Sequence, residues 1–240
     1  MKIVYGVIAI VWGVWLWLSF TPSMASQRGW GVAVSTFSLM LFLLLLSRKG
    51  EGIARTFTML MGFGYGAHFL GDLLYQVYPP ADTLGFADTW YYVSYALFIA
   101  AGVVGLLFLA ELTKRSVTLQ FIYSAVFGLL ISGLYYLVFG QATWREATDN
   151  IARFTYLLDV LLVGMSSAIG YLFFTLARRS WGGMYAQLFI LPAAGLSFAV
   201  IADMVFAARR SLDLYQPGDS SDWIRLLGQS LILLFIALAD

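Results

Sequence analysis

Apolar runs long enough to cross a hydrocarbon core recur eight times along the chain, near residues 3–20, 30–47, 55–78, 89–112, 117–139, 151–177, 184–208 and 222–239. The breaks between them carry turn chemistry: Thr21-Pro22-Ser23, Arg48-Lys49-Gly50, Pro79-Pro80, Lys114-Arg115, Asp149-Asn150, Trp181-Gly182-Gly183 and Gln216-Pro217-Gly218. Asp88, Asp149 and Ser221 or Asp222 stand where helix N-caps are expected. The pattern predicts an all-α integral membrane protein with eight transmembrane helices in one bundle over residues 1–240. No connection is large enough to form a soluble domain. Residues 1–25 share features with a signal peptide, with Lys2 ahead of an apolar run and Ser-Met-Ala before Ser26. The run Ile3–Phe20 holds 18 residues, enough to span, and is read as a retained helix.

Composition agrees with the pattern. With 61% hydrophobic residues, 11% charged residues and a mean hydropathy of +0.83, the chain has too little polar surface to wrap a soluble core. The formal net charge of +1, with no basic run, sets nucleic-acid binding aside. No cysteine is present, which removes disulfides, thiolate nucleophiles and cysteinyl metal sites together. A single histidine rules out a metal site built from several histidines of this chain, and no metal or cofactor is assigned.

Lysine and arginine set the orientation. In an eight-helix chain the side with both termini carries eight: Lys2, Arg48, Lys49, Arg55, Lys114, Arg115, Arg178 and Arg179. The other carries six: Arg28, Arg145, Arg153, Arg209, Arg210 and Arg225. Both termini are expected in the cytoplasm, and the protein in the inner, cytoplasmic membrane as a multi-pass chain.

Three carboxylates interrupt the apolar runs: Asp72, Asp159 and Asp203. Each costs on the order of 3 kcal/mol on insertion scales, so each calls for a partner or a wet cavity. Counted from the nearest helix ends at 1.5 Å per residue, all three lie roughly 9 to 12 Å below the outer surface. Around that level stand Asp88, Trp90, Tyr91, Tyr92 and Tyr95 at the start of the fourth run, Arg209-Arg210 ending the seventh, and Tyr215, Asp219 and Asp222 before the eighth, with Arg225 one turn in. His68 lies four residues before Asp72 and Tyr156 three before Asp159, so each pair shares a helical face. The simplest arrangement is an outward-opening cavity between the third, fourth, sixth, seventh and eighth helices, lined by acids and aromatics. Its ligand would be a small molecule arriving from the outer side: an amine, an amino acid, a lipid headgroup or a divalent cation. The plainer alternatives are acids that staple helices by hydrogen bonds, a packed core histidine, and an interfacial aromatic belt. The glycines of Met61-Gly-Phe-Gly-Tyr-Gly-Ala67 are expected at close helix contacts, and Pro192 is expected to kink the seventh helix.

The succession Gly71-Asp72, Ala87-Asp88 followed by Trp90, Tyr91, Tyr92 and Tyr95, Tyr156 to Asp159, Ala202-Asp203, Tyr215 to Asp219 and Asp222-Trp223 resembles a known family. It is similar to the multi-helix membrane sensory region found ahead of GGDEF and EAL cyclic-di-GMP domains in bacterial signalling proteins, over residues 65–240. The 240 residues contain no GGDEF, EAL, kinase or PAS region. The resemblance therefore implies a sensory unit as a separate protein, or one acting through a membrane or cytoplasmic signalling partner; a homodimer is compatible with it. A fainter likeness is to lysoplasmalogenase-type eight-helix proteins, carried by Gly71-Asp72 and Ala202-Asp203. It implies a hydrolase acting on a lipid vinyl ether or ester through Asp72 and Asp203, with His68 beside them. The Lys-Pro element of that family and a histidine in the fourth helix are missing here.

Three functional classes stay open: a ligand-binding sensory module, which is not an enzyme, an intramembrane lipid hydrolase, and an ion or small-solute transporter. A transporter would want acids spread along the membrane normal, and no inverted repeat is visible. A retinal Schiff base is excluded, because Lys2, Lys49 and Lys114 all fall at helix ends.

Overall fold

The structure, a computed structural model, describes residues 2–20, 29–77, 86–113, 116–141, 144, 150–183, 186–212, 214 and 219–239. Tyr215, Pro79-Pro80, Lys114-Arg115, Asp149 and Gln216-Pro217-Gly218 lie outside them. Among the described residues the chain forms eight long helices: α1 (Lys2–Phe20), α2 (Gly29–Lys49), α3 (Gly52–Val77), α4 (Phe86–Thr113), α5 (Val117–Tyr135), α6 (Asn150–Ser180), α7 (Ala186–Ser211) and α8 (Ser220–Ala239). A π-helical turn over Tyr136–Gly140 prolongs α5, and α7 runs unbroken through Pro192.

Six helices, α2 and α4 to α8, contain stretches long and apolar enough to cross a membrane. In α1 the qualifying apolar stretch is the shorter Tyr5–Trp17. Helix α3 has the length, at 26 residues, but Arg55, His68, Asp72 and its many glycines dilute its hydropathy.

Helix neighbours define the architecture. Helix α2 packs on α3, α3 on α4, α4 on α6, α6 on α7, α7 on α8, and α8 returns to α2, which closes a six-helix ring. Helix α1 lies outside the ring against α8 and α2, and α5 outside it against α6 and α4. Two tryptophans hold α1 in place: the Trp15 and Trp12 rings lie 3.9 and 5.6 Å from Trp223, and Trp12 Nε1 donates to Ser230 Oγ at 2.8 Å.

All six ring helices contribute to one apolar cluster, among them Leu39, Met61, Phe98, Leu172, Phe189 and Ile232. At its base Phe57 meets Phe173 and Phe189 at centroid distances of 6.0 and 5.3 Å. These rings sit at the start of α3, the end of α6 and the start of α7, so the plug fills the half of the ring nearer the ends of α2, α4 and α8.

Small residues set how closely the helices approach. The Gly62 and Gly66 positions of α3 face Leu44 and Met40 of α2, and Gly64 faces Phe98 of α4. Between α7 and α8 the approach is backbone to backbone: a Cβ on Gly228 would land on the Gly195 carbonyl oxygen, and one on Gly195 would meet the Gly228 carbonyl. Helices α5 and α6 meet the same way at Gly128 and Gly164, where Ser132 Oγ donates to Val160 O at 3.0 Å.

Two helix starts differ from the expected caps. Helix α4 begins at Phe86, which puts Asp88 inside the first turn, where a carboxylate complements the helix dipole without capping it. In α8 the cap is Asp219, whose Oδ1 accepts from Ser221 N at 2.8 Å and Ser221 Oγ at 2.6 Å. Ser221 and Asp222 are then first-turn residues.

Candidate functional site

Two carboxylates anchor the polar half of the ring. Asp72 of α3 is 5% exposed and Asp203 of α7 is 3% exposed. Carboxylates at that depth need donors, and neighbouring helices supply them. Asp72 Oδ1 accepts from the Tyr91 hydroxyl of α4 and Oδ2 from the Thr36 hydroxyl of α2, each at 2.9 Å. Thr36 Oγ1 in turn accepts from Gln229 Nε2 of α8 at 2.9 Å, so four helices meet through Asp72. Asp203 is held more tightly. Tyr95 of α4 donates to its Oδ2 at 2.5 Å, Ser166 of α6 to the same oxygen at 2.7 Å, and Arg225 Nη2 of α8 to Oδ1 at 3.0 Å.

Between these anchors lies a cavity of about 60 Å³. It has room for about four water molecules. Five carboxylates line it, Asp72, Asp88, Asp159, Asp203 and Asp222, together with the guanidinium groups of Arg210 and Arg225. Tyr75, Tyr91, Tyr95 and Phe206 supply aromatic wall, and His68, Gln76, Val32 and Leu162 complete it. These residues come from the C-terminal parts of α3 and α7 and the N-terminal parts of α2, α4, α6 and α8, so the cavity occupies the end of the bundle opposite the phenylalanine plug. A recess of about 20 Å³ continues inward past His68, Tyr95, Asp203 and Arg225, which line both spaces, and ends on Phe98, Ile169 and Leu196. Gln229 Oε1 and Arg225 Nε, in its wall, have no hydrogen-bond partner among the described residues.

His68 stands between the two spaces. Its Nδ1 is 3.3 Å from Ser94 Oγ, and its Nε2 is 4.0 Å from Asp72 Oδ1, one helical turn away. Its ring meets Tyr91 edge-on at 4.9 Å. Nearer the mouth Arg210 Nη1 lies 3.5 Å from Asp159 Oδ1, with both side chains more than a quarter exposed.

Of the residues singled out from sequence, the cavity brings together His68, Asp72, Asp88, Tyr91, Tyr95, Asp159, Asp203 and Asp222. It does not include Trp90, Tyr156 or Arg209. Trp90 is half-buried with its ring 6.3 Å from Phe86. Tyr156 is buried in an apolar cluster with Tyr135, Val163 and Ala207. Arg209 turns to the loop before α8, where its Nε is 2.6 Å from Asp219 Oδ2 and its Nη2 donates to Leu214 O at 3.1 Å. The neighbouring Arg210, about 100° further round the helix, is the one that lines the cavity.

Arg225, expected at the level of the acids, lines the cavity, and so does Tyr75, which was not among the candidate ligand-binding residues. A signal for Arg225 was present, a cation one turn inside an apolar run, where it is as costly as an acid and as much in need of a partner. Tyr75, one turn after Asp72, follows from the same helical face. Among the described residues no three of His, Asp and Glu gather closely enough to hold a metal ion. The site can hold a small polar molecule between fixed charges, and its floor is apolar. No family model, no curated protein and no solved structure matches the chain.

Proposed function

We propose that the chain is a membrane-embedded sensory module that binds a small ligand in the cavity between α3, α4, α6, α7 and α8 and signals through a partner. The observation that carries this reading is a polar cavity at one end of the ring, blind at the other because of the phenylalanine plug. A transport path would have to cross that plug. The hydrolase reading requires Asp203 to move onto substrate as acid or base, whereas an arginine and two hydroxyls from three neighbouring helices hold that carboxylate in place. A ligand in the cavity touches every ring helix, since Val32 brings in α2 as well, and this offers a route from binding to the far end of the bundle.

Eight membrane crossings with both termini in the cytoplasm belong to the same proposal. The 19 residues of α1 and 26 of α3 reach about 29 and 39 Å, close to or beyond the hydrocarbon thickness. Arg48, Lys49, Arg178 and Arg179 end α2 and α6 on the plug side. On the cavity side Arg209 and Arg210 each face a carboxylate, which offsets part of the positive charge there.

The absence of cysteine makes the test direct. In Gln76→Cys the thiol at the cavity wall is expected to react with a small impermeant thiosulfonate added from outside, at least tenfold faster than in Leu176→Cys, whose fully buried site lies beside the Phe189 ring of the plug. Labelling of Gln76→Cys from the cytoplasmic side alone would reverse the orientation. Labelling of Leu176→Cys from either side would favour transport. Turnover of a vinyl-ether or ester lipid by the purified protein, lost in Asp72→Asn, would replace binding with hydrolysis.

A further inference from the structure

We infer that the cavity takes a small organic ammonium ion, held between Asp72 and His68 and surrounded by Tyr75, Tyr91 and Tyr95. The inference rests on the ligand-binding reading and gives the ligand's chemical class. It starts from charge. Both lining guanidinium groups lie against acids of the same wall, Arg225 on Asp203 and Arg210 on Asp159, whereas Asp72 receives hydrogen bonds only from the hydroxyls of Tyr91 and Thr36. The field beside Asp72 therefore favours a cation over an anion or a neutral guest. A zwitterionic guest would need a guanidinium for its carboxylate end, in competition with those acids.

Unused acceptors supply the second, independent observation. His68 is 7% exposed, and its Nε2 has no hydrogen bond among the described residues; the nearest charged atom is Asp72 Oδ1 at 4.0 Å. With Nδ1–H turned toward Ser94 Oγ, Nε2 presents a lone pair to the cavity. A nitrogen at about 2.9 Å from both Nε2 and Asp72 Oδ1 fits the gap, and an ammonium carries three N–H groups to donate. Gln229, 4% exposed, adds a second acceptor without a donor in the adjoining recess. The unpartnered donor beside it, Arg225 Nε, belongs to a guanidinium already bound to Asp203 through Nη2.

Aromatic wall and size narrow the class further. Three tyrosine rings line the space, the environment that stabilises an organic cation over their faces. The free volume, about 60 Å³, suits a guest of about four heavy atoms. A divalent cation lacks the required set, because no three metal-ligating side chains converge among the described residues.

The test uses the full chain in lipid nanodiscs, titrated by calorimetry with n-propylammonium chloride, sodium propionate, propan-1-ol and magnesium chloride. Propylammonium is expected to bind saturably, with affinity at least tenfold weaker in Asp72→Asn and several-fold weaker in His68→Phe, both variants keeping the wild-type melting profile within a few degrees. If Asp72→Asn fails to fold, Asp88→Asn at the mouth is the second variant, expected to weaken binding a few-fold in a salt-dependent manner. Saturable binding of propionate or magnesium in place of propylammonium would overturn the ammonium class and leave a ligand-binding protein standing. Propylammonium affinity unchanged in all variants would place that ion elsewhere and also overturn it. If no probe saturates, the ammonium class falls, and labelling at Gln76→Cys then decides whether the cavity reading falls with it.

Discussion

Replacing Arg225 with Met is expected to destabilise the protein by about 3–5 kcal/mol, because it leaves the Asp203 carboxylate buried without its cation. Met keeps the volume and the helix, so the loss is electrostatic. Tyr95 and Ser166 still donate to Asp203, but two hydroxyls do not neutralise a charge that is 3% exposed. The double variant Arg225→Met with Asp203→Asn is expected to recover a large part of the loss, since it removes both charges together. The comparison is Arg210→Met. That arginine is 3.5 Å from Asp159 and both partners are more than a quarter exposed, so solvent screens the pair and its loss is expected to cost below about 1 kcal/mol. Unfolding free energies measured by denaturant titration in bicelles would decide. Equal losses for Arg225→Met and Arg210→Met, or no recovery in the double variant, would sink the assignment of Arg225 as the buried counter-ion.

Substituting Gly228 with Val is expected to cost about 1–3 kcal/mol and to weaken the site with it. The new Cβ falls on the Gly195 carbonyl oxygen and within 3.0 Å of Phe198 Cβ, neither of which can swing away as a flexible side-chain tip would. Helices α7 and α8 must therefore separate, and Asp203 and Arg225 sit on those two helices one on each side of the gap. Gly133→Ala in α5 is the control: nothing lies within 4 Å of its Cβ position, and better helix propensity should leave stability unchanged or raised by up to about 1 kcal/mol. A Gly228→Val protein that melts like the wild type would show that the two backbones are not in contact at this point.

The eight helices were legible because a bilayer enforces run length, and each apolar run falls on an observed helix, α5 taken with its π-helical turn, with ends displaced by about three residues or fewer. That small displacement still mattered at Asp88, which moved from cap to first turn. The buried acids were legible because insertion makes an unpaired carboxylate expensive. Rotation about each helix axis was not. Arg209 and Arg210 differ by one position, yet only the second reaches the cavity, and Tyr156 packs into an apolar cluster outside it although Asp159, three residues on, lines it. The donors Thr36, Ser166 and Gln229 were not legible either. Serine and threonine in these helices commonly bond their own preceding turn, as Ser38, Ser167 and Ser197 do, and sequence does not distinguish those from the ones that cross to a neighbour.

The ring closes through α8, which follows the other ring helices along the chain. Asp72 on α3 finds its hydroxyl donors on α2 and α4, its neighbours in the chain, whereas Asp203 on α7 draws its cation, Arg225, from α8, which also supplies the Thr36 partner Gln229. During biosynthesis Asp203 must therefore wait, at a cost of a few kcal/mol, for a guanidinium that has not yet been translated. Helix α8 acts as a keystone. A bundle without α8 leaves the Asp203 carboxylate without its cation and opens the ring between α7 and α2.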